Sequence, residues 1–187
     1  MEWQKQIGYD KEGNEIIFIV YSNGKYLELS KNASLMYREM EKNEIGKKFK
    51  ELLSHFGDVI EKINLSNFMG FYVSRGIDNS DPNSPHKSGR AIDISIAYFI
   101  DNEKKLMVTC KTYYNFWFMF ADLLSQEFDK PFNQIICPFG ILDITRNKQV
   151  IIDNLMNNNK LIADKDLEVM KDLISEHQNH FHINLMK

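Results

Sequence analysis

Residues 15–21 read Glu-Ile-Ile-Phe-Ile-Val-Tyr, a β-branched and aromatic run that predicts a strand. Ser22-Asn23-Gly24 follows, and residues 25–29 resume with apolar and polar positions in alternation. An Asn-Gly pair between two such runs predicts a β-hairpin, because the tight turn needs positive φ at its central residues. Residues 9–14 form another turn-rich stretch just before it. Residues 1–29 therefore read as a β-hairpin appendage to a main domain over residues 30–187.

The period changes after residue 30. Leu35, Met36, Met40, Phe49, Leu52, Leu53 and Phe56 recur at helical spacing with charges between them. This predicts helix over 33–56, with Gly46 as an interruption. A short helical piece, a strand at Phe71-Tyr72-Val73 and a long polar loop over 78–84 come next. Residues 90–98 read as a strand with Asp93, Ser95 and Ala97 on one face. Residues 112–127 predict a helix whose stripe Phe116-Trp117-Phe118-Met119-Phe120 belongs to the core. Short apolar runs at 134–137 and 149–152 are separated by turns. Asp164 reads as the N-cap of a helix over 165–176. The chain closes on a strand over 180–185.

Size and charge narrow the classes. A chain of 187 residues suits one domain with a real core, with room for a small appendage. A formal net charge of -3 gives no basic field, so no nucleic-acid partner is expected. No apolar run approaches the ~18–20 residues that span a bilayer, so no membrane span is expected. The first residues lack the apolar centre of a secretory signal. On that reading the protein stays in the cytoplasm, leaves by another route, or is a piece of a longer chain. Cys110 and Cys137 lie far apart and outside any C-x-x-C spacing, which predicts two buried thiols.

The histidines change the picture. Four of the five fall in two short segments. One reads Ser84-Pro85-His86-Lys87-Ser88-Gly89-Arg90-Ala91-Ile92-Asp93, and the other His177-Gln178-Asn179-His180-Phe181-His182. Side chains two apart on a strand share a face, so His180 and His182 point the same way. Asp93 on a neighbouring strand would meet them, and His86 would arrive from the preceding loop. Gly89 lets that loop turn without a Cβ penalty. Zinc takes His nitrogen and carboxylate oxygen, and a catalytic site uses three protein ligands plus a water. Such a metal acidifies water and polarises a carbonyl oxygen, and a nearby base moves the proton. His180 is the candidate base, His177 its assistant, and Glu176 a weaker candidate. His55 has no such company and reads as an ordinary histidine.

At these residues the chain resembles the zinc peptidases that cut bacterial cell-wall peptides. That group comprises the D-Ala-D-Ala carboxypeptidases and dipeptidases, the lysostaphin-type endopeptidases and the penicillin-insensitive murein endopeptidase. Ser84, His86, Gly89, Ala91 and Asp93 match the pattern S-x-H-x-x-G-x-A-x-D in full. The resemblance implies His86, Asp93 and His182 as zinc ligands and Ser84 as a substrate-binding residue. His177, His180 and His182 match the H-x-x-H-x-H of the murein endopeptidase, which implies a catalytic His180 supported by His177. The D-Ala-D-Ala peptidases place a catalytic carboxylate where this chain has Asn179, which cannot act as a carboxylate base. These families also hold a substrate carboxylate with an upstream Arg, and Arg75 is the counterpart here. The implied fold is α+β and hedgehog/D-Ala-D-Ala-peptidase-like: a small antiparallel sheet carrying the zinc site, flanked by helices. The implied activity is hydrolysis of a peptidoglycan stem-peptide or crosslink bond, endopeptidase favoured over carboxypeptidase, at the cell wall. The alternatives are a non-catalytic zinc-containing module that binds wall or protein, and a cytoplasmic D,D-dipeptidase-like enzyme.

Overall fold

The computed structural model of the protein describes residues 1–128, 130–143, 148–150 and 175–186. β1 (Trp3–Tyr9), β2 (Glu15–Tyr21) and β3 (Tyr26–Leu29) form an antiparallel meander. The Asn-Gly turn joins β2 to β3, with Gly24 at φ 80°. Ile17, Ile19, Tyr21, Leu27 and Leu29 are buried on one face, as period-two alternation requires when only one side of a sheet is covered. These strands are continuous with the rest. β3 pairs in parallel with β4 (Phe68–Arg75), and the apolar face of the segment expected as an appended hairpin lies in the shared core.

The α+β class is as the resemblance implies, but the sheet is neither small nor wholly antiparallel. The described residues form ten strands in one mixed sheet. The parallel pair arises because α1 (Lys31–Met40) and α2 (Glu44–Lys62) lie between β3 and β4. A helical crossover carries the chain back to the end of the sheet where β3 began, so that β4 runs in the same direction. The break between the two helices falls at residues 41–43, just ahead of the expected Gly46. Asn43 caps α2, its Oδ1 accepting from the Gly46 N–H at 3.1 Å. Gly46 sits inside the first turn, where a Cβ would lie 2.2 Å from the Met40 carbonyl oxygen.

β5 (Ala91–Asp101) is the strand about which the sheet divides. β4 lies along one side of it. On the other side β6 (Lys104–Thr109) flanks its second half, and β10 (Phe181–Leu185) flanks its first. Beyond β10 come β7 (Phe132–Cys137), β8 (Gly140–Asp143) and β9 (Lys148–Val150). Of the expected apolar run over 149–152, the first two residues belong to β9 and the others lie outside the described residues. Asp164 and most of the expected helix over 165–176 also lie outside them, and residues 175 and 176 are helical.

The aromatic stripe packs into the core as expected. On α3 (Tyr114–Gln126), Phe116, Trp117 and Phe120 are buried. Phe181 of β10 stacks on Trp117 with ring centroids 5.4 Å apart and meets Phe120 at 5.0 Å. Cys110 and Cys137 are free and buried. Burial pushes their thiols up, to about 12 and about 11. No helix among the described residues is long and apolar enough to cross a membrane.

Phe181→Ala removes a fully buried ring at the centre of this packing. It should cost about 3–5 kcal/mol, the usual range for an aromatic truncated in a core, read as a lowered midpoint in urea unfolding.

Candidate metal centre

The register of the sheet sets Arg75, Asp93, His182, Ile136 and Ile141 side by side across five strands. Directly paired residues share a face. In β10, Phe181, Ile183 and Leu185 enter the core, which turns His182 and Asn184 the other way. In β5, Ile92 and Ile94 enter the core, which turns Asp93 the same way as His182. Asp93 Oδ1 and His182 Nδ1 therefore meet, at 2.9 Å. The pairing of β4 with β5 shifts register between Tyr72 and Val73, so that Ser95 is passed over. Ala97 consequently joins the core, away from Asp93, and the expected common face of Asp93, Ser95 and Ala97 is broken by this bulge.

The site lies where β5 changes partner. β6 ends with Thr109 opposite Ile96, and β10 begins with Phe181 opposite Ile94. His180, expected inside the last strand, immediately precedes it.

His86 comes from the loop after β4, on a single 3₁₀ turn over Pro85–Ser88. Gly89 ends the turn at φ 70°, and a Cβ there would lie 2.2 Å from the carbonyl oxygen of Ile45 in α2. Both the left-handed backbone and the close approach require glycine. His86 is 1% exposed. Its Nδ1 lies 2.8 Å from the Gly76 carbonyl oxygen. A carbonyl only accepts, so in the neutral ring Nδ1 carries the proton and Nε2 is bare. That Nε2 faces Asp93 Oδ1 at 3.2 Å and has no hydrogen-bond partner. A lone pair against a carboxylate is repulsive. A cation or a proton between them removes the repulsion.

His86, Asp93 and His182 each offer a ligand atom, all within 4.8 Å of one another, and all three residues are buried. Two ligands about 2.0–2.1 Å from a tetrahedral zinc lie roughly 3.3 Å apart. The 3.2 Å and 2.9 Å separations around Asp93 Oδ1 are close to that value. The Gly76 carbonyl supplies the outer hydrogen bond that metal-ligating histidines use to fix their tautomer. The donor set and the bare Nε2 both fit a metal ion.

His180 flanks the cluster, its Nε2 4.0 Å from Asp93 Oδ2. Its Nδ1 lies 2.7 Å from the side-chain oxygen of Asn179. The His177 ring centroid is 4.7 Å from that of His180 and 5.8 Å from that of His182. The second histidine segment is thus gathered at one point. Ser84 Oγ accepts from the His86 N–H at 3.3 Å and caps the turn that carries His86. Arg75 stands next to Asp93 in the register, with Nε donating to Asp78 Oδ2 at 2.7 Å and a terminal nitrogen 3.4 Å from Ser80 Oγ. Glu176 is exposed, and His55 is half-buried on α2, outside the cluster.

Residue pattern alone does not point to the Gly76 carbonyl, the Asp78 partner of Arg75, or the contact between Asn179 and His180. The first is a backbone group with no residue-type signal. The other two are local, but many polar neighbours lie at such spacings, and only the fold selects these pairs.

Burial alone would raise the Asp93 carboxyl, but the hydrogen bond of His182 outweighs it and holds it well below the usual carboxylate range. Burial lowers His182, against the opposing pull of Asp93. Burial also lowers His180, again opposed by Asp93. All three residues are thereby kept in the deprotonated forms that ligate metals or accept protons.

Fold and site define an α+β protein with a buried His-Asp-His group that could hold a metal ion. No protein-family model matches the chain, and no curated protein and no solved structure matches it.

A histidine with a depressed folded value stays neutral in the fold and still takes a proton when unfolded. Unfolding therefore takes up protons below about 6.5, and stability falls as pH drops through that value. Asp93 acts in the same direction in a lower window, its contribution being lost only as pH falls below about 3.9. The urea midpoint of metal-free protein should be lower at about pH 5.5 than at about pH 7.5, and His182→Asn should narrow the difference.

Proposed function

We propose that this protein is a zinc-dependent metallopeptidase that hydrolyses a peptide bond in the stem peptide or crosslink of peptidoglycan, with endopeptidase action favoured over carboxypeptidase. The observation that carries the reading is the bare Nε2 of His86, buried and held against Asp93 with His182 and His180 beside it. The resemblance of the two histidine segments to the wall peptidases names the substrate class.

His86 through Nε2, Asp93 through Oδ1 and His182 through Nδ1 would hold the ion. When bound, it supplies Lewis acidity, which acidifies water and polarises the scissile carbonyl. His180 takes the proton of the attacking water on Nε2 and returns it to the leaving amine as the C–N bond breaks and the C–O bond remains. His177, beside His180 and His182, supports the protonated ring or the developing oxyanion. Arg75, steadied by Asp78, turns its guanidinium toward a substrate carboxylate, which its planar fork binds in two-point fashion. Ser84 holds the His86 turn and contributes its hydroxyl at the rim. Asn179 in place of a carboxylate disfavours the D,D-dipeptidase alternative.

Zinc-loaded protein incubated with crosslinked muropeptides should give new fragments by mass spectrometry, whose masses identify the bond. His86→Ala and His182→Ala should lose both stoichiometric zinc and product. His180→Ala should keep its zinc and lose about 10²–10⁴ in turnover, the usual worth of a general base. Unchanged muropeptides with zinc confirmed bound would overturn the peptidase reading.

A further inference from the structure

We propose that Asn179 is a positioning residue: its side-chain carbonyl selects the tautomer of His180 that presents a bare Nε2 to the cluster. The catalytic consequence rests on the peptidase reading above. The tautomer itself can be tested without it.

The turn before the last strand sets the geometry. The His180 backbone N–H lies 3.5 Å from the His177 carbonyl oxygen, which closes the chain into a tight turn just before β10. The turn brings the His177 ring against the His180 ring. It also sets the Asn179 side-chain oxygen 2.7 Å from His180 Nδ1. That oxygen can only accept, so the proton of the neutral ring is on Nδ1. The other nitrogen, which points toward Asp93 Oδ2 at 4.0 Å, is then a lone pair.

This choice matters because a neutral histidine side chain in water prefers its proton on Nε2. Left to that preference, His180 would point an N–H at Asp93 and could accept nothing from a water at the cluster. Asn179 reverses the preference with one hydrogen bond. It does so without taking part in proton transfer, since an amide oxygen is a very weak base. In the proposed hydrolysis Nε2 receives the proton of the attacking water. Nδ1–H stays on Asn179 throughout, and the proton on Nε2 passes to the leaving amine. The position where the resembling D-Ala-D-Ala peptidases carry a carboxylate base is here occupied by a residue that makes its neighbour the base.

Two-bond ¹H–¹⁵N spectra of the zinc-loaded full chain report which nitrogen of His180 is protonated. The unaltered protein should show Nδ1–H and bare Nε2. Asn179→Leu, similar in size but with no acceptor, should shift the ring toward the Nε2–H form. It should also lower kcat by about tenfold with KM and zinc content unchanged, at the low end of the range for outer-shell partners. Asn179→Asp, which restores the acceptor, should restore the Nδ1–H form. An Nε2–H ring in the unaltered protein, or an Asn179→Leu variant with the same tautomer and the same kcat, would overturn the inference. A tautomer that follows residue 179 in a protein that cleaves no muropeptide would support the positioning and remove the peptidase reading.

Discussion

A carboxylate removed from water must be given partners, and the residues around Asp93 are arranged to do so. It is 6% exposed, in the strand that divides the sheet. An isolated charge there would cost many kcal/mol or be neutralised by protonation. His182 meets it from the adjacent strand in direct register, and His86 from a loop anchored on α2. Once His86 is fixed by Gly76, its bare nitrogen and the carboxylate face one another with nothing between. The arrangement becomes satisfied only when something positive enters.

The sheet supplies precision. Arg75, Asp93 and His182 lie on three successive strands, so their spacing is set by ladder hydrogen bonds. Sites built on strands hold their side chains more tightly than sites built on loops. The cluster lies at the change of partner along β5. β6 stops opposite Ile96 and β10 begins opposite Ile94, and the turn carrying His177, Asn179 and His180 occupies that junction. The opposite face of the same strands is filled by Phe181, Ile183, Ile92 and Ile94 against the aromatic side of α3. Every second residue thus serves the core and every other one the site, which ties the stability of the fold to the geometry of the cluster.

Elements with strong local signals are legible in the residue pattern. The Asn-Gly hairpin, the aromatic helix and the final strand depend on period and turn chemistry, which neighbours along the chain decide. The candidate ligand set is legible too, because His86, Asp93 and His182 come from two short segments of recognisable spacing. The helix break lies a few residues from where the pattern puts it. Gly46 reads as a breaker, whereas the Asn43 cap and the close pass of the Met40 carbonyl decide where it sits.

Local pattern and residue type were enough for the individual strands and helices, for the alternation that sends Phe181 inward and His182 outward, and for the set of side chains able to bind a cation. Only folding in three dimensions makes the first 29 residues extend the main sheet, since strand pairing between β3 and β4 spans two helices and leaves no local trace. Only folding bulges Ser95 and lets the Gly76 carbonyl set the tautomer of His86. The reason is common to all of these. Hydrogen bonds to backbone carbonyls and across strands depend on which groups folding brings within about 3 Å, and a backbone carbonyl carries no residue identity to read.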